Sequence, residues 1–219
     1  MKSKTQLEME YGTCPKKRQA RTDTIVKSLR DNYGHTLPDN KQYWAMCGRC
    51  SHEIGQLDDN CEPNQMIKSK LITPNQFHGV EIDPEIYEYN SNASQEMNWY
   101  LGDFHDVMAE YSNKHEFNPA IVNVDMVYMP KRGSSYFAKI LQLLTTAKEA
   151  KEVILVGNFV MESRHWRSSI DDIIDGLEKQ PCFQFSMHNG NWELGDQYYT
   201  YLGTGGDSTT MSTIIYHKG

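Results

Sequence analysis

Long apolar runs are missing from this chain of 219 residues. No stretch approaches the roughly 18 consecutive apolar residues that a membrane-spanning helix needs. The first residues, Met1 to Gln6, are polar and lack the apolar segment typical of a secretory signal. We therefore expect a protein of the cytoplasm that has no membrane partner.

An excess of positive charge is missing as well. The chain has 22 Lys and Arg residues against 29 Asp and Glu residues, for a formal net charge of -7. This balance argues against a broad basic surface that binds nucleic acid non-specifically by releasing counterions. It leaves open a local basic patch and a nucleic-acid substrate.

Cysteine is scarce, with five residues in the chain. An odd number of cysteines in a chain of this length does not suggest a disulfide framework, because a chain this long can bury a sizeable core without one. The count fits a reducing compartment.

The length favours one domain preceded by a short arm. Residues 1–17 are polar, contain Gly12 and Pro15, and are predicted to be irregular. Residues 18–219 are predicted to form the single domain. It begins with a helical lead-in over 18–34, because apolar residues recur there at helical spacing and Gly34 is placed to end the helix.

Strands and amphipathic helices then alternate along the chain, which favours a doubly wound, mostly parallel sheet of seven strands with helices on both faces. Residues 58–70 are expected to be polar turns. The final part is expected to contain strands at 182–187, 198–202 and 211–217 with no helix between them, the last two forming an antiparallel C-terminal hairpin. The remaining strands are predicted at 42–47, 77–82, 98–101, 120–129 and 153–160, and the helices at 136–151 and 166–178.

The most informative segment is the apolar strand 77–82, which ends in two carboxylates, Glu81 and Asp83, before Pro84. An acidic residue at the carboxyl end of such a strand is how a doubly wound fold holds the vicinal hydroxyls of a ribose. The segment therefore predicts a cofactor that contains a nucleoside.

The order of elements, together with Glu81 and the sequence Leu101-Gly102-Asp103-Phe104, resembles the class I S-adenosylmethionine-dependent methyltransferases, a Rossmann-like superfamily. The resemblance covers roughly residues 40 to 217. It implies an enzyme that binds S-adenosylmethionine and transfers its methyl group to a nucleic-acid base or a small-molecule nucleophile.

The resemblance also implies a cofactor site at four strand ends. The loop after the first strand would face the methionine portion, the acid after the second would bind the ribose, and the next two strand ends would face the adenine and the rest of the pocket. The residues assigned to this site are Cys47, Gly48, Glu81, Ile82, Asp83, Asp103, Phe104 and Asn123.

The catalytic residues implied by the resemblance lie in the second half of the fourth strand and at its end, and are Asp125, Tyr128 and Pro130. Asp125 would orient the nucleophile or accept its proton. Methyltransferases that act on adenine amino groups carry two adjacent prolines at this position. This chain has no such pair, so that particular activity is not predicted.

Two alternatives remain open. The loop after the first strand has Gly48 but few other glycines, which favours a methyltransferase-like module that binds or assembles without catalysis. Cys47, Cys50, His52 and Cys61 resemble part of a tetrahedral zinc set and suggest a zinc-stabilised protein. The preferred interpretation assigns no metal ligand, and the sequence does not indicate an oligomeric state.

Overall fold

The chain forms two compact units that meet in sequence between Met108 and Ala109. The computed structural model describes residues 25–27, 29–31, 33–34, 36–50, 56–59, 61–126, 130–160, 162–163, 166–167, 169–194, 199–202 and 210–218. The predicted arm and the first part of the lead-in lie outside the described residues. The described residues of 25–33 are helical, and the amide of Gly34, at φ +75°, bonds Arg30 where this helix ends.

The first unit is built on three parallel strands in the order β3-β2-β1. β2 lies between the other two, so both of its edges are paired, and it is buried along its whole length. Each of the three strands coincides with a predicted strand or lies within one. Their bounds are β1 (Gln42–Ala45), β2 (Phe77–Glu81) and β3 (Asn98–Leu101).

Three aromatic side chains stack across these strands. The ring centroids of Trp44 and His78 are 4.5 Å apart, and those of His78 and Tyr100 are 5.9 Å apart. His78 Nδ1 lies 3.1 Å from the Tyr100 hydroxyl. Burial lowers the pKa of His78 to about 3, so the ring is neutral at physiological pH.

The sequence analysis did not predict three helices of the chain, which are α1 (Glu62–Lys68), α2 (Pro84–Ala93) and α3 (Phe104–Lys114). α1 replaces the expected polar turns. α2 buries few side chains, among them Ile86 and Asn90, so it has no continuous apolar stripe for a sequence pattern to reveal.

The second unit contains the parallel pair β4 (Pro119–Met126) and β5 (Val153–Val160). β10 (Thr210–Lys218) runs antiparallel to β5, and β8 (Trp192–Leu194) and β9 (Tyr199–Leu202) run antiparallel to β10. A separate short pair consists of β6 (Glu162–Ser163) and β7 (Trp166–Arg167). The residues that join β9 to β10 lie outside the described part of the chain.

The helices of the second unit are α4 (Pro130–Thr146), α5 (Ile170–Glu178) and α6 (Pro181–Asn189). The predicted strand at 182–187 is wrong, since these residues belong to α6. Pro181 occupies its first turn, where a missing N–H costs nothing, and Phe183 and Ser186 are buried one turn apart. α5 starts later than predicted, because Ser169 caps it and Trp166 belongs to β7.

The architecture is α/β, and five strands have parallel neighbours. Apart from β6 and β7, the described residues form eight strands, three in the first unit and five in the second, rather than the predicted seven. β8, with three residues, is too short to give a sequence pattern. No helix in the described part of the chain is long and apolar enough to cross a membrane.

Candidate cofactor site

The loop that follows β1 is held by a side chain from α2. Asn90 is completely buried, its Nδ2 donates to the carbonyl of Gly48 at 2.9 Å, and its Oδ1 accepts from the amide of Cys50 at 2.8 Å. Gly48 has a φ of +64°, which favours glycine at this turn. The loop is therefore shaped by one glycine and one buried amide rather than by a series of glycines.

The side chain of Arg49, in the same loop, packs against α2. Its guanidinium carbon lies 3.9 Å from the centre of the Tyr89 ring, and Nη1 lies 3.8 Å from Glu85 Oε1. The side chain is buried despite its charge, which agrees with a cation stacked on an aromatic face beside a carboxylate. Arg49 and Asn90 are features that the sequence analysis missed, because it did not predict α2.

The end of β2 places two neighbouring side chains in opposite environments. Glu81 is 7% exposed, whereas Ile82 is 69% exposed. The amide of Gly102 donates to the carbonyl of Glu81 at 2.9 Å, so the ends of β2 and β3 stay together past their last paired residues. A buried carboxylate thus adjoins an apolar side chain that faces water.

Asp83, the second predicted carboxylate, caps α2. Its Oδ1 accepts from the amides of Glu85 at 2.8 Å and Ile86 at 3.3 Å, and Pro84 follows in the first helical turn. An aspartate followed by proline is a common helix start. This sequence signal was available, and it identifies a structural role for Asp83 in addition to the predicted cofactor role.

Asp103 has the same role at α3. Its Oδ1 accepts from the amides of His105 at 3.0 Å and Asp106 at 3.3 Å. Ligand atoms of Asp103, His105 and Asp106 lie within 4.8 Å of one another. The start of a helix accounts for this proximity, so the group is not taken as a metal site.

Phe104 is buried in the core, with 2% of its surface exposed. The open apolar surface at this strand end belongs instead to Leu101, which is 50% exposed and pairs in register with Glu81. Leu101 and Ile82 are therefore the apolar side chains near these strand ends that a planar ring could contact. Sequence reasoning identified Ile82 and missed Leu101, because a leucine at the end of a strand is usually a core residue.

The remaining predicted residues belong to the second unit. Asn123, on β4, is completely buried, and its Oδ1 accepts from Asn158 Nδ2 on β5 at 2.9 Å. Asp125, two residues further along β4, is half-buried and stands opposite Asn158 in the register. Tyr128 lies outside the described residues, and Pro130 is the first residue of α4.

Comparison with solved structures identifies the fold. An S-adenosylmethionine-dependent methyltransferase from Clostridium acetobutylicum matches with a TM-score of 0.53 over 92% of this chain and 92% of that chain, at 10% identity. The chain has the class I methyltransferase fold. The predicted family resemblance is confirmed at the level of the fold.

Further methyltransferase structures are similar with lower scores. One from Anabaena variabilis has a TM-score of 0.49 at 9% identity, covering 89% of this chain and 84% of that chain. An O-methyltransferase from Bacillus cereus, in complex with SAH, has a TM-score of 0.47 at 10% identity, covering 98% and 82%. No protein-family model and no curated protein matches the sequence.

Within this methyltransferase fold, most of the predicted cofactor residues lie in the first unit, at the ends of β1, β2 and β3. Cys47 is buried. Asn123 and the predicted catalytic residues lie in the second unit. The structure thus provides, in the first unit alone, a buried carboxylate, two exposed apolar side chains and a loop held by hydrogen bonds.

Proposed function

We propose that the chain binds S-adenosylmethionine and transfers its methyl group to a nucleophile of a nucleic-acid base or a small molecule. The observation that carries the proposal is the contrast at the end of β2, where buried Glu81 is followed directly by exposed Ile82. A ribose needs acceptors for its hydroxyls, and an adenine needs an apolar face. This pair supplies both within two residues.

Glu81 is proposed to accept the ribose hydroxyls. Ile82 and Leu101 are proposed to contact the adenine, and Asp103, held in place by its bonds to the start of α3, to lie near the adenine edge. The loop at Cys47 and Gly48 is proposed to receive the methionine portion.

Asp125 is proposed to orient the acceptor or take its proton, with Tyr128 and Pro130 beside it in sequence. Methyl transfer from a sulfonium proceeds by in-line displacement, so positioning of the acceptor at near-attack distance supplies much of the rate. Asn123, in the second unit, is proposed as a further cofactor-binding residue.

Calorimetry with S-adenosylmethionine and with its demethylated product tests the cofactor assignment. The unmodified protein is expected to bind, and Glu81→Gln is expected to weaken binding at least tenfold. Glu88→Gln, which removes the same charge from an exposed position of α2, is the matched control and is expected to bind normally. Absence of binding at millimolar ligand would overturn the proposal.

Catalysis is tested separately with cofactor labelled in the methyl group and pools of nucleic acid and metabolites as acceptors. Label is expected to enter an acceptor with the unmodified protein and with Asp171→Asn, an exposed aspartate of α5. Asp125→Asn is expected to reduce the transfer at least tenfold, the low end of what a positioned proton acceptor contributes. Equal transfer by both variants would remove Asp125 from the mechanism.

A further inference from the structure

Helix α2 contacts three consecutive residues of the loop after β1. The side-chain amide of Asn90 bonds the carbonyl of Gly48 and the amide of Cys50, on either side of Arg49. The side chain of Arg49 packs against the ring of Tyr89, the residue before Asn90. Two neighbouring side chains of one helix therefore hold the backbone and the side chain of the same loop segment.

The two bonds of Asn90 follow the pattern of a parallel sheet. There, one residue donates its N–H to a carbonyl of the neighbouring strand and accepts a bond from the amide two residues further along that strand. Asn90 makes the same pair of bonds to Gly48 and Cys50 with its side chain. The side chain thus keeps the backbone ordered past Ala45, the last residue of β1.

These contacts are shielded from water. Asn90 is completely buried, and Arg49 is 5% exposed. A loop that moved away from Asn90 would give up two hydrogen bonds and leave a buried amide side chain without partners, which is costly. The conformation of the loop is therefore set before any ligand arrives, and this reduces the entropic cost of binding.

The same helix begins next to the residues that are proposed to bind the nucleoside. Asp83, the N-cap of α2, follows Ile82 directly, and Asn90 lies about 10 Å further along the helix axis. The end of β2 is held separately, by the bond from the amide of Gly102 to the carbonyl of Glu81. A change at Asn90 is thus expected to disturb the loop without displacing Glu81.

We propose that Asn90 and Tyr89 are positioning residues of the cofactor site, which hold residues 48–50 in the conformation that receives the amino-acid group of S-adenosylmethionine. The inference rests on the proposed function, in which this loop receives the methionine portion. Both residues act through the loop rather than by contact with the ligand. Their replacement is expected to weaken the binding of the amino-acid group and to spare that of the nucleoside.

Calorimetry with two ligands separates these contributions. The demethylated product of S-adenosylmethionine carries the amino-acid group, whereas methylthioadenosine has the same nucleoside and sulfur without it. The ratio of the two dissociation constants measures what the amino-acid group contributes to binding. The unmodified protein is expected to bind the demethylated product more tightly, and equal binding of the two ligands would overturn the proposal.

Asn90→Asp still accepts a bond from the amide of Cys50 but, when ionised, cannot donate to the carbonyl of Gly48. It is expected to lower the affinity for the demethylated product about tenfold, the effect of one lost hydrogen bond, and to change that for methylthioadenosine by less than about twofold. Asn92→Asp, the same change at an exposed position of α2, is the matched control and is expected to leave both affinities unchanged.

Tyr89→Leu provides independent evidence if Asn90→Asp does not fold, which circular dichroism would reveal. It removes the ring that Arg49 packs against and is expected to lower the affinity for the demethylated product about threefold. Equal losses for the two ligands, or an unchanged ratio in the folded variants, would overturn the proposal. Failure of the unmodified protein to bind either ligand would instead overturn the proposed function on which the inference rests.

Discussion

Buried asparagines occur in both units, and they bond different kinds of group. In the first unit Asn90 bonds the backbone of Gly48 and Cys50, whereas in the second unit Asn158 bonds the side chain of Asn123. Apolar residues can replace two side chains that bond each other, because both polar groups then disappear together. When Asn90 is replaced, the backbone groups of Gly48 and Cys50 that it bonds remain in place and lose their partner. Its role is therefore harder to substitute.

The largest expected effect on stability is that of Asn90→Leu. It removes two hydrogen bonds and leaves the part-buried carbonyl of Gly48 and the buried amide of Cys50 without them, at an expected cost of about 3 kcal/mol in the free energy of unfolding. Urea unfolding measures the loss, and hydrogen exchange of the Cys50 amide should become faster. Asn92→Leu, at an exposed position of the same helix, should change the free energy of unfolding by less than about 0.5 kcal/mol.

Asn158→Leu is expected to cost about 2 kcal/mol, because it removes the donor to buried Asn123. The double variant Asn123→Leu/Asn158→Leu should cost less than the sum of the two single losses, since the bond between the two side chains is lost only once. A double-mutant cycle by urea unfolding measures this difference. Losses that simply add would contradict the proposed difference between the two units.

His78 extends the comparison to a buried polar group that titrates. Its folded pKa of about 3 lies below the value of about 6.5 for an unfolded chain. The unfolded state therefore binds the extra proton as the pH falls below about 6.5, and the folded state loses stability until the pH approaches about 3. Between pH 7 and pH 5 the expected loss from this group is about 2 kcal/mol.

His78→Phe keeps an aromatic ring in the stack and removes the titration. Its free energy of unfolding, measured in urea at pH 7 and pH 5, should fall by about 2 kcal/mol less than that of the unmodified protein. An identical pH dependence in the two proteins would show that His78 does not contribute.

The smallest expected effect separates a helix cap from a charged ligand. Asp83→Ala removes the acceptor for two amides of α2 and should cost about 1 kcal/mol by thermal or urea unfolding. Asp83→Asn removes the charge but still caps, so it should retain most of the stability. Lost S-adenosylmethionine binding in a stable Asp83→Asn protein would assign the charge a direct role in the cofactor site.

The strands of the first unit were predictable, because apolar residues such as Tyr43, Phe77 and Val80 are concentrated in short runs bounded by turns. The helices α2 and α3 were not, since their surfaces are mostly polar and their capping residues, Asp83 and Asp103, also fit an interpretation as ligands. Local pattern favoured a strand at 182–187, where packing of Phe183 and Ser186 in the second unit produces a helix.

The same limit applies to the candidate site. Glu81 and Ile82 could be identified because an acidic residue at the end of a strand by itself indicates a ribose-binding site in a doubly wound fold. Asn90 could not, because its role depends on a loop 40 residues away in sequence. Cys50 and Cys61 are joined through backbone bonds to Asp58, and these bonds have no sequence signature.

The exposure of Ile82 has a thermodynamic consequence. In the free protein most of this side chain is in contact with water, at the place where a nucleoside base is proposed to lie. A ligand that covers Ile82 and Leu101 displaces that water, and burial of apolar surface lowers the heat capacity of the system. Binding at this strand end is therefore expected to become more exothermic as the temperature rises.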